Sequence, residues 1–491
     1  MKAITGRRYF RWIGACGALL VASLAARAAS SAPTAAAAPP ALRVSEASER
    51  KSVGITVYNS DFGLVREVRS LRGLPAGRVA LEFRDVASTI QPQTVAVKAL
   101  GNPGSLSVLE QNYRFDLLTP ETLLEKYVGR NVRAYRYHET AGKEDVVDAK
   151  LLSVAGGPIL QIGPEITFNY PGRLAFSELP PNLIAKPTLV WLVDSRAPDP
   201  SVEVSYLAQG MSWSADYVLV LDEKETSANL VGWVTLVNNT GASYRNAALK
   251  LVAGNVNRVV EQNYAYRAEK AMPMAAAPAP AFREEGLLEY HLYTLDRPTD
   301  VLDKEQKQVT LLEAAGVGIQ KKLIFSGQPF WYQSRFGELV KNQKVSVFLD
   351  FQNDSKNHLG MPLPKGTLRV YKADASGAQQ FVGEDAIDHT PRDERVRIKA
   401  GEAFDVVADR KQMSWTSLGN CHAESAWSIE LRNHKDEDVQ VEVREAAGGD
   451  WQVTSSSHRP ERDDAQNFHF DVPVPKRGKT TVAYTTRVRW C

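Results

Sequence analysis

The sequence is short of the features that would assign it a chemistry. Cysteine occurs three times in 491 residues and histidine eight times. That thiol count excludes a disulfide-dense scaffold. Only one apolar stretch approaches the roughly 20 residues a spanning helix needs, which excludes a polytopic membrane protein. There is no Gly-X-Y period and no heptad run, which excludes collagen-like and coiled-coil classes. A Gly-x-Ser-x-Gly elbow, a phosphate-binding glycine loop with Lys-Ser/Thr, a His-Glu-x-x-His pair and a calcium loop are all missing. No cofactor and no metal are therefore expected. What is present is an ordinary globular balance: 59 Lys+Arg against 57 Asp+Glu, with 44% hydrophobic and 9% aromatic residues. The length suits about three domains.

The first 28 residues have the build of a signal peptide. Lys2, Arg7, Arg8 and Arg11 form a basic start, Trp12 to Ala26 is apolar, and Ala26-Arg27-Ala28 supplies small residues for cleavage. Arg7-Arg8-Tyr9-Phe10 resembles the twin-arginine export motif, with Gly6 where Ser or Thr is usual; an ordinary Sec signal with a chance Arg pair is the alternative. Either route makes the protein periplasmic or secreted. Ile13-Gly14-Ala15-Cys16 resembles a lipoprotein box, but its apolar run is too short for lipidation. Removing residues 1–28 takes five cations and no acids, so 54 basic residues face 57 acidic ones. No dense Lys/Arg run remains, which argues against nucleic acid or an anionic membrane as partner. No integral anchor is expected after cleavage, and Ser30 to Ala41 reads as a spacer.

With Cys16 gone, Cys421 and Cys491 are an even pair in an oxidising compartment and are expected to form one disulfide. Cys421-His422 with Glu424 makes half a metal site, but no second ligand pair follows.

Strand signals dominate. Ile55 to Tyr58, Arg78 to Phe83 and Thr94 to Leu100 alternate between turn clusters. At Thr119 the texture changes. Thr119 can cap a helix with Pro120 first and Glu121 next, although Thr122 stands where a capping box wants Glu or Gln. Five short strands follow: Val132–Tyr137, Val146–Val154, Ile159–Ile162, Glu165–Phe168 and Arg173–Phe176. A helix and five strands outline a small SH3- or Sm-like barrel. Further strands begin at Thr188, Ser201, Asp216, Leu230 and Glu289, while Ala268 to Ala281 lacks periodicity and reads as a mobile loop. Three strands end at an Asn before a polar turn, at Asn238, Asn353 and Asn433. This echo is either turn chemistry alone or the mark of tandem modules.

The expected fold is mainly β, with tandem antiparallel β-sandwich (immunoglobulin-like) modules and an inserted small SH3/Sm-like barrel. The expected order is a signal peptide (1–28), a disordered linker (29–50) and the first part of an N-terminal sandwich (51–118). Then come the barrel insertion (119–181), the sandwich continuation (182–267), a mobile Ala/Pro-rich loop (268–285), a central β module (286–420) and a C-terminal sandwich (421–491).

A set of short blocks carries a family resemblance. They include Tyr58-Asn59, Gly63-Leu64-Val65-Arg66, Leu74-Pro75-Ala76-Gly77, Phe83-Arg84-Asp85-Val86 and Ile90-Gln91-Pro92. Others are Leu124 to Gly129, Ser212 to Tyr217, Val237 to Gly241, Leu363-Pro364-Lys365-Gly366, Gly383-Glu384-Asp385, Gly401 to Val406 and Asn433-His434-Lys435. Together they resemble the mucoidy-inhibitor-A-like family of bacterial exported proteins, which carries a large C-terminal domain of unknown function. The resemblance implies compartment and fold, and brings no reaction and no catalytic residues. It departs from longer relatives in lacking their coiled-coil segment.

Two places remain as candidate sites. Asp388-His389-Thr390 sets a carboxylate beside an imidazole, an acid/base or metal-ligand chemistry. Adjacent residues in extended chain point to opposite faces, however, so turn support is the simpler role. Trp213 and Tyr217 share one face of an extended chain and would make an aromatic platform for sugar rings, or else pack in a core. The lone histidines of Ser457-His458 and Phe468-His469-Phe470 suit loop and half-buried strand. Two functions are consistent with this. One is a non-enzymatic envelope protein binding or scaffolding other envelope proteins or glycans. The other is an envelope polysaccharide or peptide hydrolase whose carboxylates come from distant loops.

Overall fold

The computed structural model describes residues 40–138, 142–180, 183–254, 256–257, 282–336 and 339–491. The chain divides into Met1–Pro40 and Ala41–Cys491. Only the second is described below; the expected signal peptide and residues 268–281 of the expected loop lie outside the described residues.

Strand alternation is converted directly into sheet faces. His422–Asn433 buries every second residue, so Ala423, Ser425, Trp427, Ile429 and Leu431 line one side. Each such Leu or Ile contributes about 1.5–3 kcal/mol by leaving water. Three sheets share the first core. One runs Ala41–Ser45, Gly77–Arg84, Thr188–Ser195, Leu106–Arg114. The largest of them includes Tyr244–Ala253, Arg50–Tyr58, Phe62–Ser70 and Ser201–Gln209 as successive neighbours. The third runs Glu305–Gly318, Ser227–Asn238, Met211–Leu221, Gly366–Ala373, Gln379–Ile387. A nine-stranded sheet from Gln320–Ser326, Val340–Gln352 and the strands after residue 394 encloses the second core.

The mainly β expectation holds, but several finer expectations do not. Ladders are mixed: Ala41–Ser45, Gly366–Ala373, Tyr244–Ala253 and Gln320–Ser326 each pair with a neighbour in parallel. Alternation reports burial and carries no information on strand direction. The expected linker to residue 50 ends early, because Ala41–Ser45 adds to Gly77–Arg84 as an edge strand. The end of the expected loop, from Phe282, is the strand Phe282–Leu287 paired with Tyr290–Leu295. The boundary expected at 420 falls in the turn between Arg395–Gly419 and His422–Asn433, which pair as far as Gly419 and His422. Arg395–Gly419 in fact serves both cores: Val396 and Ile398 belong to the first, Val406 and Ala408 to the second.

The insertion leaves and re-enters between paired neighbours, Leu106–Arg114 and Thr188–Ser195. Its helix is Pro120–Tyr127, and Thr122 completes the capping box after all. Thr119 N–H donates to Thr122 Oγ1 at 3.0 Å, and Thr122 N–H donates to Thr119 Oγ1 at 3.2 Å. A hydroxyl accepts from the backbone as a carboxylate does. The five strands form an antiparallel sheet over a core of their own, with Glu165–Phe168 and Arg173–Ala175 as its two edges. Among the described residues no ladder joins those edges, so the expected barrel is an open sheet. Among the described residues the three-residue strand Arg173–Ala175 pairs with Asn131–His138 alone.

The asparagine echo is a structural repeat. Asn238 Nδ2 donates to Ala242 O (2.9 Å), Val301 O (3.3 Å) and Leu302 O (3.0 Å). Asn353 Nδ2 donates to Met361 O (2.9 Å), Thr390 O (3.5 Å) and Pro391 O (3.0 Å). Asn433 Nδ2 donates to Glu437 O (2.8 Å), Val474 O (3.3 Å) and Pro475 O (3.2 Å). All three are buried. In each case two successive carbonyls of a distant turn are taken, and two residues later the chain enters the left-handed region, at Lys304, Asp393 and Arg477. Each amide thus ties a strand exit to a second turn, which turn chemistry alone does not require.

Candidate functional site

Two of the residues singled out in the sequence, Tyr217 and His389, meet the segment Met361–Gly366, which reads Met-Pro-Leu-Pro-Lys-Gly. Its prolines have no N–H, so the segment offers carbonyl oxygens to its neighbours. Two tyrosines of the first core take them: Tyr293 Oη donates to Pro362 O at 2.9 Å, and Tyr217 Oη donates to Pro364 O at 2.7 Å. Burial pushes both phenols above their usual range, with Tyr293 and Asp216 adding at Tyr217 and Glu284 adding at Tyr293. Both hydroxyls therefore stay protonated and remain donors. Leu363 is buried and exchanges backbone hydrogen bonds of 2.8 and 2.9 Å with Thr390. Gly366 begins the strand beside Met211–Leu221, and a Cβ there would sit 2.0 Å from Ala215 O. No residue larger than glycine fits that approach.

Asp388 and His389 lie in the turn that faces this segment. Lys365 N–H donates to His389 Nδ1 at 3.2 Å, and Thr390 Oγ1 donates to Asp388 O at 2.9 Å. Burial and then Lys365 hold His389 below the usual imidazole range; His291 adds to this and Asp388 opposes it. The ring nitrogen that is bonded goes to backbone, so the Asp388 carboxylate does not orient it. Trp213 is 4% exposed and Tyr217 0%. Trp213 Nε1 donates to Val252 O at 3.2 Å, and its ring meets the edge of Tyr293 with centroids 6.3 Å apart. These rings are interior and offer no face to a sugar, which corrects the platform reading. Among the other tryptophans, Trp191, Trp233, Trp331 and Trp427 are buried, and Trp415, Trp451 and Trp490 half-buried. Cys421 and Cys491 form a disulfide, with Cα atoms 5.5 Å apart.

Sequence reasoning missed the ion pairs. Glu67-Val68-Arg69, Glu82-Phe83-Arg84, Glu430-Leu431-Arg432 and Glu442-Val443-Arg444 share one spacing, and each pairs within its own strand. Residues two apart on a strand share a face, so this signal was available. Glu82 and Arg84 line a cleft of about 400 Å³ with Glu46, Arg114 and Lys186. Glu82 accepts from Arg84 at 2.7 Å and from Arg114 at 3.0 Å. Nearby, burial pushes the Asp85 carboxyl up, but Lys186 at 2.5 Å and the Ala47 N–H outweigh it and hold the group below its usual range. In the second core Arg410 and Glu445 are fully buried with Tyr332 and Tyr484. Among the described residues no group of three or more His, Cys, Asp or Glu is placed to hold a metal ion.

Fold and site together define a mainly β protein whose two larger cores are bridged by shared strands. Residues 202–491, more than half of the sequence, match the family described as Domain of unknown function (DUF4139), and the chain belongs to that family. No curated protein matches the chain. The matched span opens one residue inside Ser201–Gln209, a strand held on one side by Phe62–Ser70 and on the other by Ala96–Leu100. One sheet of the family domain is therefore completed by residues that precede it. Among the described residues no helix is long and apolar enough to cross a membrane.

Proposed function

We propose that this is an exported cell-envelope protein, periplasmic or secreted, that binds or scaffolds other envelope proteins or glycans. In this reading the stacked sheets are immunoglobulin-like sandwich modules and the insertion is an SH3/Sm-like module. Export is supported by the signal-peptide pattern of residues 1–28, by the mucoidy-inhibitor-A-like blocks and by the Cys421–Cys491 bridge, since disulfides persist in oxidising compartments. The observation that carries the binding role is the strand Leu106–Arg114. It pairs with Thr188–Ser195 on one side and is the outer strand of its sheet on the other. Leu109 is 49% exposed on it and Phe115 71% exposed just beyond. An edge of this kind accepts an added strand, with main-chain bonds giving affinity and side-chain contacts giving choice.

The test is a photo-crosslinking residue at position 109 of the full chain in producing cells, with position 288 as an exposed control. A discrete adduct at 109 that is absent at 288 is expected; no adduct at 109 refutes the role. Export is checked separately by the N-terminal sequence of the mature protein in the envelope fraction, and a cytoplasmic protein retaining residue 1 refutes it. In the hydrolase reading the carboxylates would belong to the cleft of Glu46 and Glu82. Glu82 is already engaged by two guanidinium groups, which favours the binding reading.

A further inference from the structure

The Met361–Gly366 segment is held from two sides by unlike devices. On one side are the tyrosine hydroxyls of Tyr217 and Tyr293, donors that keep their protons. On the other side one bond depends on an imidazole: the Lys365 N–H needs His389 Nδ1 as an acceptor, which exists only while the ring is neutral. In that state the ring proton sits on Nε2, an atom buried without a hydrogen-bond partner. The neutral ring thus leaves one donor unmet, and the charged ring would aim a second donor at an N–H.

We propose that His389 is an acid-released latch that pins the Leu363–Lys365 side of this segment while its ring is neutral and frees that side when the ring takes up a proton. The groups facing the ring set the balance. Lys365 on the segment and His291 on Tyr290–Leu295 oppose a positive charge, and Asp388 on its own turn favours it. His291 is itself bonded to Glu284, Nδ1 to Oε1 at 2.8 Å. Burial joins Lys365 and His291 in disfavouring the charge. The folded pKa therefore lies below that of the free ring, about 6.5. The neutral ring contributes its stability in full above about 6.5, and this is lost as pH falls through the folded value. What is released is the pair of backbone bonds between Leu363 and Thr390 and the burial of Leu363. The bonds from Asn353 to Met361 O and from Tyr293 and Tyr217 to Pro362 O and Pro364 O stay, so the opening is confined to the Leu363–Lys365 side.

The test is hydrogen exchange of the full chain from pH 7.5 to 4.5, corrected for intrinsic rates and read at the Lys365 amide, in wild type and in His389→Gln. Glutamine accepts the same N–H and does not titrate. Protection should fall on acidification in wild type and hold in H389Q. His291→Gln removes an opposing group and should move the release to higher pH. Unchanged protection in wild type across this range, or an equal fall in H389Q, overturns the latch. If H389Q does not fold at pH 7.5, the wild-type ring decides by NMR titration. Titration below 6.5 together with a Lys365 amide shift supports the proposal, and titration at or above 6.5 overturns it.

Discussion

Arg410 and Glu445 face each other across the second core with no exposed surface on either side chain. Their strands, Arg395–Gly419 and Val439–Ala446, are separated in the sheet order by Val340–Gln352 and Gln320–Ser326. The contact is therefore made through the interior. Arg410 Nη1 donates to Glu445 Oε2 at 3.1 Å, Nη2 donates to Oε1, and Tyr332 Oη donates to Oε2 at 2.7 Å. The guanidinium carbon lies 4.1 Å from the centre of the Trp331 ring.

Breaking that pair from one side leaves a buried charge. Arg410→Met and Glu445→Leu should each cost about 3–5 kcal/mol, and the double replacement should cost clearly less than their sum. Urea unfolding followed by tryptophan emission measures this. Additive single costs would show that the two groups act independently.

The three buried asparagines make a comparison with a built-in control. Asn238→Ala removes an amide that meets three carbonyls, whereas the neighbouring Asn239 is exposed. The first should lose roughly 2–3 kcal/mol and the second within about 0.5 kcal/mol. Thermal denaturation of both variants decides it, and Asn433→Ala should behave like Asn238→Ala.

Truncation and excision should have opposite outcomes. A chain of residues 202–491 lacks both partners of Ser201–Gln209 and the parallel partner of Tyr244–Ala253, exposing Val202, Val204 and Tyr206. It should be aggregated or without near-ultraviolet dichroism. Removing 119–182 takes out a core that is separate from the others. The flanks are already bonded: Leu118 N–H donates to Ile184 O at 2.9 Å, and Ile184 N–H donates to Asp116 O at 3.0 Å. A short glycine linker there should leave the rest folded, with one cooperative transition lost.

The disulfide ties the C-terminal residue to the turn before His422–Asn433, closing a sequence separation of 70. Denatured and unreduced, protein without residues 1–28 should show no free thiol. Cys421→Ser with Cys491→Ser should lower stability by about 4 kcal/mol on the chain-entropy account. Two reactive thiols before reduction would contradict the bridge.

Much of the strand order was legible because half-buried strands alternate. Ile159–Ile162 and Glu165–Phe168 have the very bounds read from the sequence, and Thr119 capped the expected helix. Strand direction and module limits were not legible, because alternation is the same in a parallel pair and because Arg395–Gly419 runs as one strand from one core to the next, its alternation slipping only at a bulge at residues 401–405. At the site, Asp388, His389, Trp213 and Tyr217 were all visible as residues. The bond of Tyr217 to Pro364 O and that of Lys365 N–H to His389 were not, since a backbone partner leaves no mark on residue type. The asparagines were found because one residue type does the same job three times.

The strands shared between the cores also have a mechanical meaning. Val340–Gln352 and Arg395–Gly419 lie side by side and antiparallel, and both pass from one hydrophobic interior to the other. A pull applied across the molecule therefore runs along covalent backbone and a shear-loaded ladder. The ladder shifts register at that joint, where residues 403–406 of one strand stand opposite Val345 alone, so this bulge is the slack that a pull takes up first and the place where the spacing of the two portions is set.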